Sequence, residues 1–479
     1  MDETTPPRAS RQQRVERDSL GEMSVPAGAL YGIQTMRAVR NYPITGVHIS
    51  HYPEFIKALA AVKKAAALAN ERMGLLDAER AGAIREACAL LLAGRYRAHF
   101  PVDVIQGGAG TSTNMNVNEV VANLALEILG RPRGDYAFLH PLNHVNLSQS
   151  TNDVYPSALR LALVMMGRDL HKAMGRLAKA LEAKGRQFAH IIKIGRTQLQ
   201  DAVPMTLGQE FSAWALMVEE DRQRLLEALD LVREINLGGT AIGTSLNAPA
   251  GYPALAVEML CKVSGHRMVL SSDLVEATQD AGAYVQFSGV LKRTAVKLSK
   301  ICNDLRLLSS GPRCGLGEIR LPKMAPGSSI MPGKVNPVIP EVVNQIAFQV
   351  IGSDLTVTLA AEAGQLELNA MEPVLAHNLF NSLTLLRRGC LVLAEKCVKG
   401  IEADEARCRE LLERSLGLAT ALCPLVGYDQ AARVAQHAQA TGQSVHEAAR
   451  ELLGWDEERL ARVLDPSAML NPDAKGGAA

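Results

Sequence analysis

Ser328, Ser329, Lys334 and Asn336 crowd hydroxyls, an ammonium and a carboxamide into one short stretch, Gly327-Ser-Ser-Ile-Met-Pro-Gly-Lys-Val-Asn-Pro337. Its glycines and prolines break any regular element, and little apolar bulk competes with the polar groups. The stretch reads as a mobile functional loop. Pro337 and Pro340 then open a helical pattern with Val342, Val343, Ile346 and Val350. The loop therefore ends near a helix N-terminus, where free N–H groups favour anions. The expected guest is a small carboxylate or phosphate. A nucleotide P-loop requires Gly-Lys-Ser/Thr at a fixed distance from a first glycine. Here the spacing from Gly327 to Gly333 is one residue too long and Val335 follows Lys334, so ATP is not supported. An ordinary surface turn has much the same composition, and the loop gains weight only in company.

Three further blocks supply that company. Gln106-Gly-Gly-Ala-Gly-Thr-Ser-Thr-Asn114 combines glycines that let backbone approach a ligand with the short donors Thr111, Ser112, Thr113 and Asn114, ahead of an apolar helical pattern. Ser, Thr and Asn are also the usual helix caps, so by chemistry alone a capped helix and a ligand site stand level. In His144-Val-Asn-Leu-Ser-Gln-Ser-Thr-Asn-Asp153, the residues Ser150, Thr151 and Asn152 sit at or just before a helix start. Capping explains one of them; a bound carboxylate explains the run. Gly195-Arg-Thr-Gln-Leu-Gln-Asp-Ala-Val-Pro204, with Thr197 and Gln198, reads as an irregular link between helices.

Together these blocks resemble the aspartase/fumarase superfamily, whose members cleave C–N or C–O bonds by elimination and release fumarate. Gly327 to Pro337 is similar to its long, specific signature, and the likeness runs from about Asp18-Ser-Leu-Gly21 to the end of the chain. It takes in Tyr31 to Ala38, Ala361 to Asn369 and Met371-Glu-Pro373, the last two aspartase-like. Many relatives, fumarases among them, carry histidine at the position of Gln198; aspartases occur with either residue. In fumarases that histidine is held by a glutamate matching Glu341. With Gln198 no such charge pair forms, which removes the group that would manage a water leaving group and tilts the reading away from fumarase.

The resemblance implies elimination of ammonia from L-aspartate through an aci-carboxylate. It assigns the β-carboxylate to Thr111, Ser150, Thr151 and Ser329, the ammonium to Asn152 with Thr197 and Gln198 nearby, and the α-carboxylate to Lys334 and Asn336. Ser328 matches the general base. No cofactor is implied; some aspartases respond to divalent cations, but no metal-ligand cluster is evident. The alternatives are fumarate hydratase, another fumarate-releasing lyase of the superfamily, such as one acting on argininosuccinate, and a silent helical scaffold. A scaffold has no use for hydroxyls clustered on loops.

The elements that must carry these blocks are helices. Apolar residues make up 47% of the chain but aromatics only 4%, with Ala and Leu abundant, which favours long packed helices over sheet. Leu207, Phe211, Trp214, Val218, Leu225, Ala228 and Val232 keep a heptad-like register, as do Tyr284, Phe287, Leu291, Leu298, Ile301, Leu305 and Leu308. Such helices expose more apolar surface than one chain covers, so self-association is expected; the resemblance implies a homotetramer with a central long-helix bundle and active sites shared by three subunits. The expected fold is all-α with three domains: a helical domain over 1–150 with a loose tail over 1–17, the bundle over 151–399 with the 321–337 loop, and a small helical domain over 400–479. A helical pattern runs from Pro53 to Leu92, and Ser245 stands where the family usually has glycine.

The 51 basic residues nearly cancel the 50 acidic ones, which leaves no field to attract nucleic acid or anionic membrane. No run of about 18 apolar residues occurs and the N-terminal stretch lacks an apolar signal core, so a cytoplasmic protein is expected. The eight cysteines are scattered without a C-x-x-C and read mostly as reduced core residues. His140 and His144 are separated by Pro141, which argues for a local hydrogen-bonding role over a helical metal pair.

Overall fold

The computed structural model describes residues 12–470. A strand pair opens it, β1 (Gln13–Asp18) and β2 (Gly21–Pro26), antiparallel in register from Gln13 opposite Pro26 to Asp18 opposite Gly21. Residues 13–17 are thus strand, not the loose tail their composition suggests, because each stands in unbroken register opposite a residue of β2; residues 1–11 lie outside the described residues. Helices follow: α1 (Ile33–Asn41), α2 (Pro53–Arg72), α3 (Ala78–Leu92), α4 (Thr111–Ile128) and α5 (Thr151–Gln187). After the hairpin of β3 (Ile192–Thr197) and β4 (Gln200–Thr206) come α6 (Leu207–Leu231), α7 (Tyr252–Ser264), α8 (Leu274–Gln279), α9 (Gly282–Leu308), α10 (Val338–Glu362) and α11 (Glu372–Lys396). Short helices complete the chain from Glu405 onward. The fold is all-α in character, and among the described residues its sheets are all two-stranded.

The chain packs as two compact units whose segments interleave. Of the described residues, the first takes 12–172, 223–295 and 348–387; the second takes 173–222, 296–347 and 388–470. This division differs from the three consecutive domains read along the sequence.

In the first unit the pattern from Pro53 to Leu92 resolves into two helices. Pro53 starts α2, and Asp77 caps α3 by accepting a hydrogen bond from the Arg80 backbone N–H. α2 packs against α3 and α7 through a face rich in alanine, including Ala58, Ala61, Ala65 and Ala69, all buried. Small side chains let the backbones approach. Phe55 and Ile56 fill what remains, and each fully buried large apolar side chain contributes about 1.5–3 kcal/mol.

In the second unit Phe188, Phe211 and Trp214 form edge-to-face contacts with centroids 5.4 and 4.8 Å apart. A separate apolar cluster around Leu422, Val434, Ala448 and Leu460 holds the C-terminal helices to Ile194 on β3. Every residue of the two heptad-like stripes is buried. Five cysteines are buried, Cys88, Cys302, Cys390, Cys397 and Cys408, while Cys261 and Cys423 are half-buried and Cys314 is exposed. Among the described residues no helix is long and apolar enough to cross a membrane.

Candidate functional site

The first unit gathers Thr111, Ser150, Thr151 and Asn152 around the starts of α4 and α5. The approach to α4 runs through three consecutive residues with positive φ, Gly108 at 90°, Ala109 at 54° and Gly110 at 86°. A Cβ on Gly110 would fall inside the buried Tyr155 ring, so only glycine fits there. Gly110 caps α4 without a side chain, which removes Thr111 from the capping role. The Thr111 hydroxyl instead donates to the Gly108 carbonyl at 2.8 Å, a bond it must exchange to reach a ligand.

At α5, Ser150 does cap: its Oγ accepts the Asn152 N–H at 3.2 Å, and Asp153 Oδ1 answers by accepting the Ser150 N–H at 2.9 Å. Asp153 Oδ2 accepts the N–H groups of Gly238 and Thr240, both at 3.0 Å, and so ties the glycine-rich segment from Asn236 to Asn247 to this helix start. Ser245 in that segment has φ 57°, a left-handed conformation that costs a serine about 1 kcal/mol relative to glycine. Asn152 Nδ2 donates to the Ala241 carbonyl at 2.8 Å, which turns its Oδ1 outward as an acceptor.

Beneath this helix start lies a buried polar network. Lys63 of α2, fully buried, donates to Asn146 Oδ1 at 2.8 Å and Gln149 Oε1 at 2.9 Å. Asn114 donates to Asn146 Oδ1 at 3.1 Å and to Thr151 Oγ1 at 3.0 Å. Burial brings the Lys63 amine down to about 7 against the opposing charge of Asp153. Burial likewise pushes the Asp153 carboxyl up to about 6, although three backbone N–H groups and Lys63 pull the other way. Lys63, Asn146 and Asp153 escape a reading of the sequence as candidate site residues, and Asn114 stands there only as one of four short donors at the start of α4. One signal was available: Lys63 falls in helical register with the buried Leu59, Ala66 and Ala67, where a solvated lysine does not belong.

The second unit carries Thr197, Gln198, Ser328, Ser329, Lys334 and Asn336. The stretch expected as an irregular link between helices is the β3–β4 hairpin, with Thr197 opposite Gln200. Its turn residues Gln198 and Leu199 both have positive φ, at 55° and 62°, the twist a two-residue hairpin demands. Neither is Gly or Asn, so the turn is strained. Buried ion pairs hold it: Arg196, beside Thr197, makes two bonds of 3.0 Å to the fully buried Glu318, which also meets Lys193 at 3.1 Å.

The 327–337 loop is closed by two bonds between its ends. Gly327 N–H donates to the Lys334 carbonyl at 2.8 Å, and Asn336 Nδ2 donates to the Gly327 carbonyl at 2.8 Å. A Cβ on Gly327 would collide with the Lys334 carbonyl. Within the loop, the N–H groups of Ile330 and Met331 converge on Ser328 Oγ at 3.2 and 2.9 Å. Ser329 and Lys334 are exposed.

The polar blocks are thus built as two groups, hydroxyls and a carboxamide at helix starts in one unit, and a strained hairpin with a serine-rich loop in the other. A lyase family model matches residues 21–352, and a model of the fumarase C C-terminus matches residues 418–471. The aspartate ammonia-lyase of Pseudomonas fluorescens is 58% identical over 460 residues, 96% of this chain and 96% of its own length. The chain belongs to the aspartase/fumarase family of lyases. Two solved structures of that family superpose on it. The crystal structure of a fumarate lyase:delta crystallin from Brucella melitensis bound to cobalt gives a TM-score of 0.94 at 57% identity, covering 96% of this chain and 100% of that one. The recombinant class II fumarase from Schistosoma mansoni gives 0.93 at 35% identity over the same shares.

Within this lyase fold His140 and His144 serve the backbone. His140 Nδ1 accepts the N–H groups of Leu142 and Asn143, and His144 Nδ1 accepts the His140 N–H at 2.8 Å. Among the described residues no group of three His, Cys, Asp or Glu side chains is arranged to hold a metal ion.

Proposed function

We propose that this lyase is an aspartate ammonia-lyase that converts L-aspartate reversibly to fumarate and ammonia. The observation that carries the reading is the start of α5. There Thr151 has a hydroxyl proton to offer a carboxylate, and its neighbour Asn152 presents a carboxamide oxygen to an ammonium. L-Aspartate carries those groups on adjacent carbons.

Abstraction of the C3 proton leaves an electron pair that is tolerable only when delocalised into the β-carboxylate, giving an aci-carboxylate with two negative charges. Hydroxyl donors aimed at that group, Thr111, Ser150, Thr151 and Ser329, therefore lower the barrier most. The pair then forms the C2–C3 double bond as the C2–N bond breaks, and its electrons leave with ammonia. The nitrogen departs already carrying three protons, so no acid is needed beside it and the neutral Gln198 suffices, with Thr197 and Asn152 orienting the ammonium. Lys334 and Asn336 take the α-carboxylate.

Ser328 is the proposed base. A free serine hydroxyl is far too weak an acid to ionise near neutrality. The two N–H groups converging on its Oγ, together with the Lys334 charge on the same loop, are the groups that would stabilise an alkoxide. No cofactor enters this chemistry, because the substrate's own carboxylate is the electron sink.

The same reading makes the enzyme a homotetramer with active sites shared by three subunits. Phe348, Ile351, Leu355 and Leu359 support it as an exposed apolar stripe at helical spacing along α10. Light scattering at micromolar concentration tests the assembly. The activity is tested by ultraviolet absorbance of fumarate with L-aspartate, and with L-malate in parallel. Fumarate from aspartate alone supports the ammonia-lyase; fumarate from malate alone replaces it with a hydratase.

A further inference from the structure

Asn114 and Lys63 take no part in the chemistry above, yet they decide which way a hydroxyl proton points. Lys63 Nζ faces two carbonyl oxygens, and an amine with two or three protons donates to both. The atom of Asn146 that meets it must therefore be oxygen, an assignment supported at the other end by Asn146 Nδ2 donating to the Gln149 carbonyl at 3.1 Å. That same oxygen also receives Asn118 Nδ2 at 3.1 Å. Asn114 lies 3.1 Å from it and so must present its NH₂ group. The second hydrogen of that group goes to Thr151 Oγ1. Reversing any one amide would set oxygen against oxygen or donor against donor in a site without water's dielectric, which is costly.

We propose that Asn114, locked by Lys63 through Asn146, is a positioning residue that turns the Thr151 hydroxyl proton outward to the substrate carboxylate. Thr151 Oγ1 already accepts from Asn114, and among the described residues its own proton has no acceptor. The proton is thus committed to a ligand before one arrives, as a preorganised donor requires. This inference rests on the reading of Thr151 as a carboxylate donor.

The test is a double-mutant cycle in the full-length enzyme, reading kcat/KM for L-aspartate beside the melting temperature. Asn114→Asp keeps the size but makes position 114 an acceptor that draws the Thr151 proton inward, and a loss of about 100-fold is expected, comparable to deleting an oxyanion donor. In a Thr151→Val background there is no proton to draw, and the same change is expected to cost at most about 5-fold more, the remainder reporting the added charge alone. Asn114→Leu, which removes the donation without adding charge, is expected to lose about 10-fold and to be absorbed by Thr151→Val in the same way. It decides the matter if Asn114→Asp does not fold. Losses that multiply across both cycles overturn the positioning role. A Thr151→Val enzyme with unchanged kcat/KM overturns the reading of Thr151 as a donor, and the positioning role with it.

Discussion

At the start of α5, Thr151 and Asn152 stand on a floor of buried partners, whereas residues 329–335 of the serine loop are all exposed and Ile330 is 84% accessible. The first region has spent its freedom in folding. The amides of Asn114, Asn118 and Asn146 are oriented by the donors that converge on Asn146 Oδ1, although the oxygens of Asn114 and Asn118 are left buried without a partner among the described residues. The second region is fastened at its two ends and at Ser328 Oγ, and the residues between stand exposed. Under the proposed function its order comes in part from substrate, through contacts to Lys334 and Ser329, as expected of a loop that closes over a reaction. Under the proposed function, the first region would fix orientation and the second would supply the base.

That division predicts that damage to the two halves has different signatures. Ser328→Ala removes the proposed base from an exposed loop: kcat is expected to fall about 10³-fold while the melting temperature stays within a degree or two. Normal turnover in that variant would remove Ser328 from the chemistry. Gly110→Ala strikes the other half, where a Cβ must fit where the Tyr155 ring sits on a backbone already at φ 86°. A destabilisation of about 3 kcal/mol or more is expected, read as a large drop in melting temperature with activity lost in proportion to the folded fraction. Equal effects of the two substitutions on stability would erase the contrast.

The contrast also explains what the sequence made legible. Thr111, Ser150, Thr151, Asn152 and the loop residues stand out only together: each could be a cap or a turn residue by itself, and it is the resemblance of the four blocks to one family that gives them roles. The heptad stripes were plain, since burial at a fixed period leaves its mark in residue type. The supporting network was not visible: Asn114, Asn146 and Lys63 come together only when α2, α4 and α5 pack, and no local pattern announces a contact between residues so far apart in the chain. The β3–β4 hairpin was missed because Gln198-Leu199 lacks the Asn-Gly type of turn that marks such a structure. The interleaving of the two units along the chain was not legible either, because order along the chain does not encode which distant segments pack.

A third prediction concerns a buried charge in the first unit, outside the proposed site. Glu372, the first residue of α11, is buried with one carboxylate oxygen lacking a hydrogen-bond partner. Burial pushes its carboxyl up to about 8, against the pull of the Arg160 guanidinium. The folded state therefore holds this proton more tightly than the unfolded chain, and the stability it confers is present below about 4.5 and lost as pH rises towards 8. Glu372→Gln, which cannot ionise, is expected to be about 2 kcal/mol more stable than the parent at pH 9 and nearly equal to it at pH 5. Melting curves at the two pH values check this. A Glu372→Gln protein that loses stability equally at both would mean that Arg160 needs the charge.

The smallest effect sharpens the picture of the second unit. Leu199 is exposed at the hairpin tip with φ 62°, so its side chain gains no packing there and bears the cost of a left-handed backbone. Leu199→Gly is expected to relieve about 1 kcal/mol of strain, less whatever glycine loses in the unfolded chain, and so to leave the melting temperature unchanged or slightly raised. The informative readout is activity. If Thr197 and Gln198 orient the leaving ammonium only because the Arg196–Glu318 pair and the strained turn hold them still, a looser tip should raise KM for L-aspartate about two- to fivefold with kcat less affected. An unchanged KM would show that the buried ion pair fixes the hairpin by itself. The rigid half of the molecule would then extend to Thr197, leaving the serine loop as the one part whose order awaits substrate.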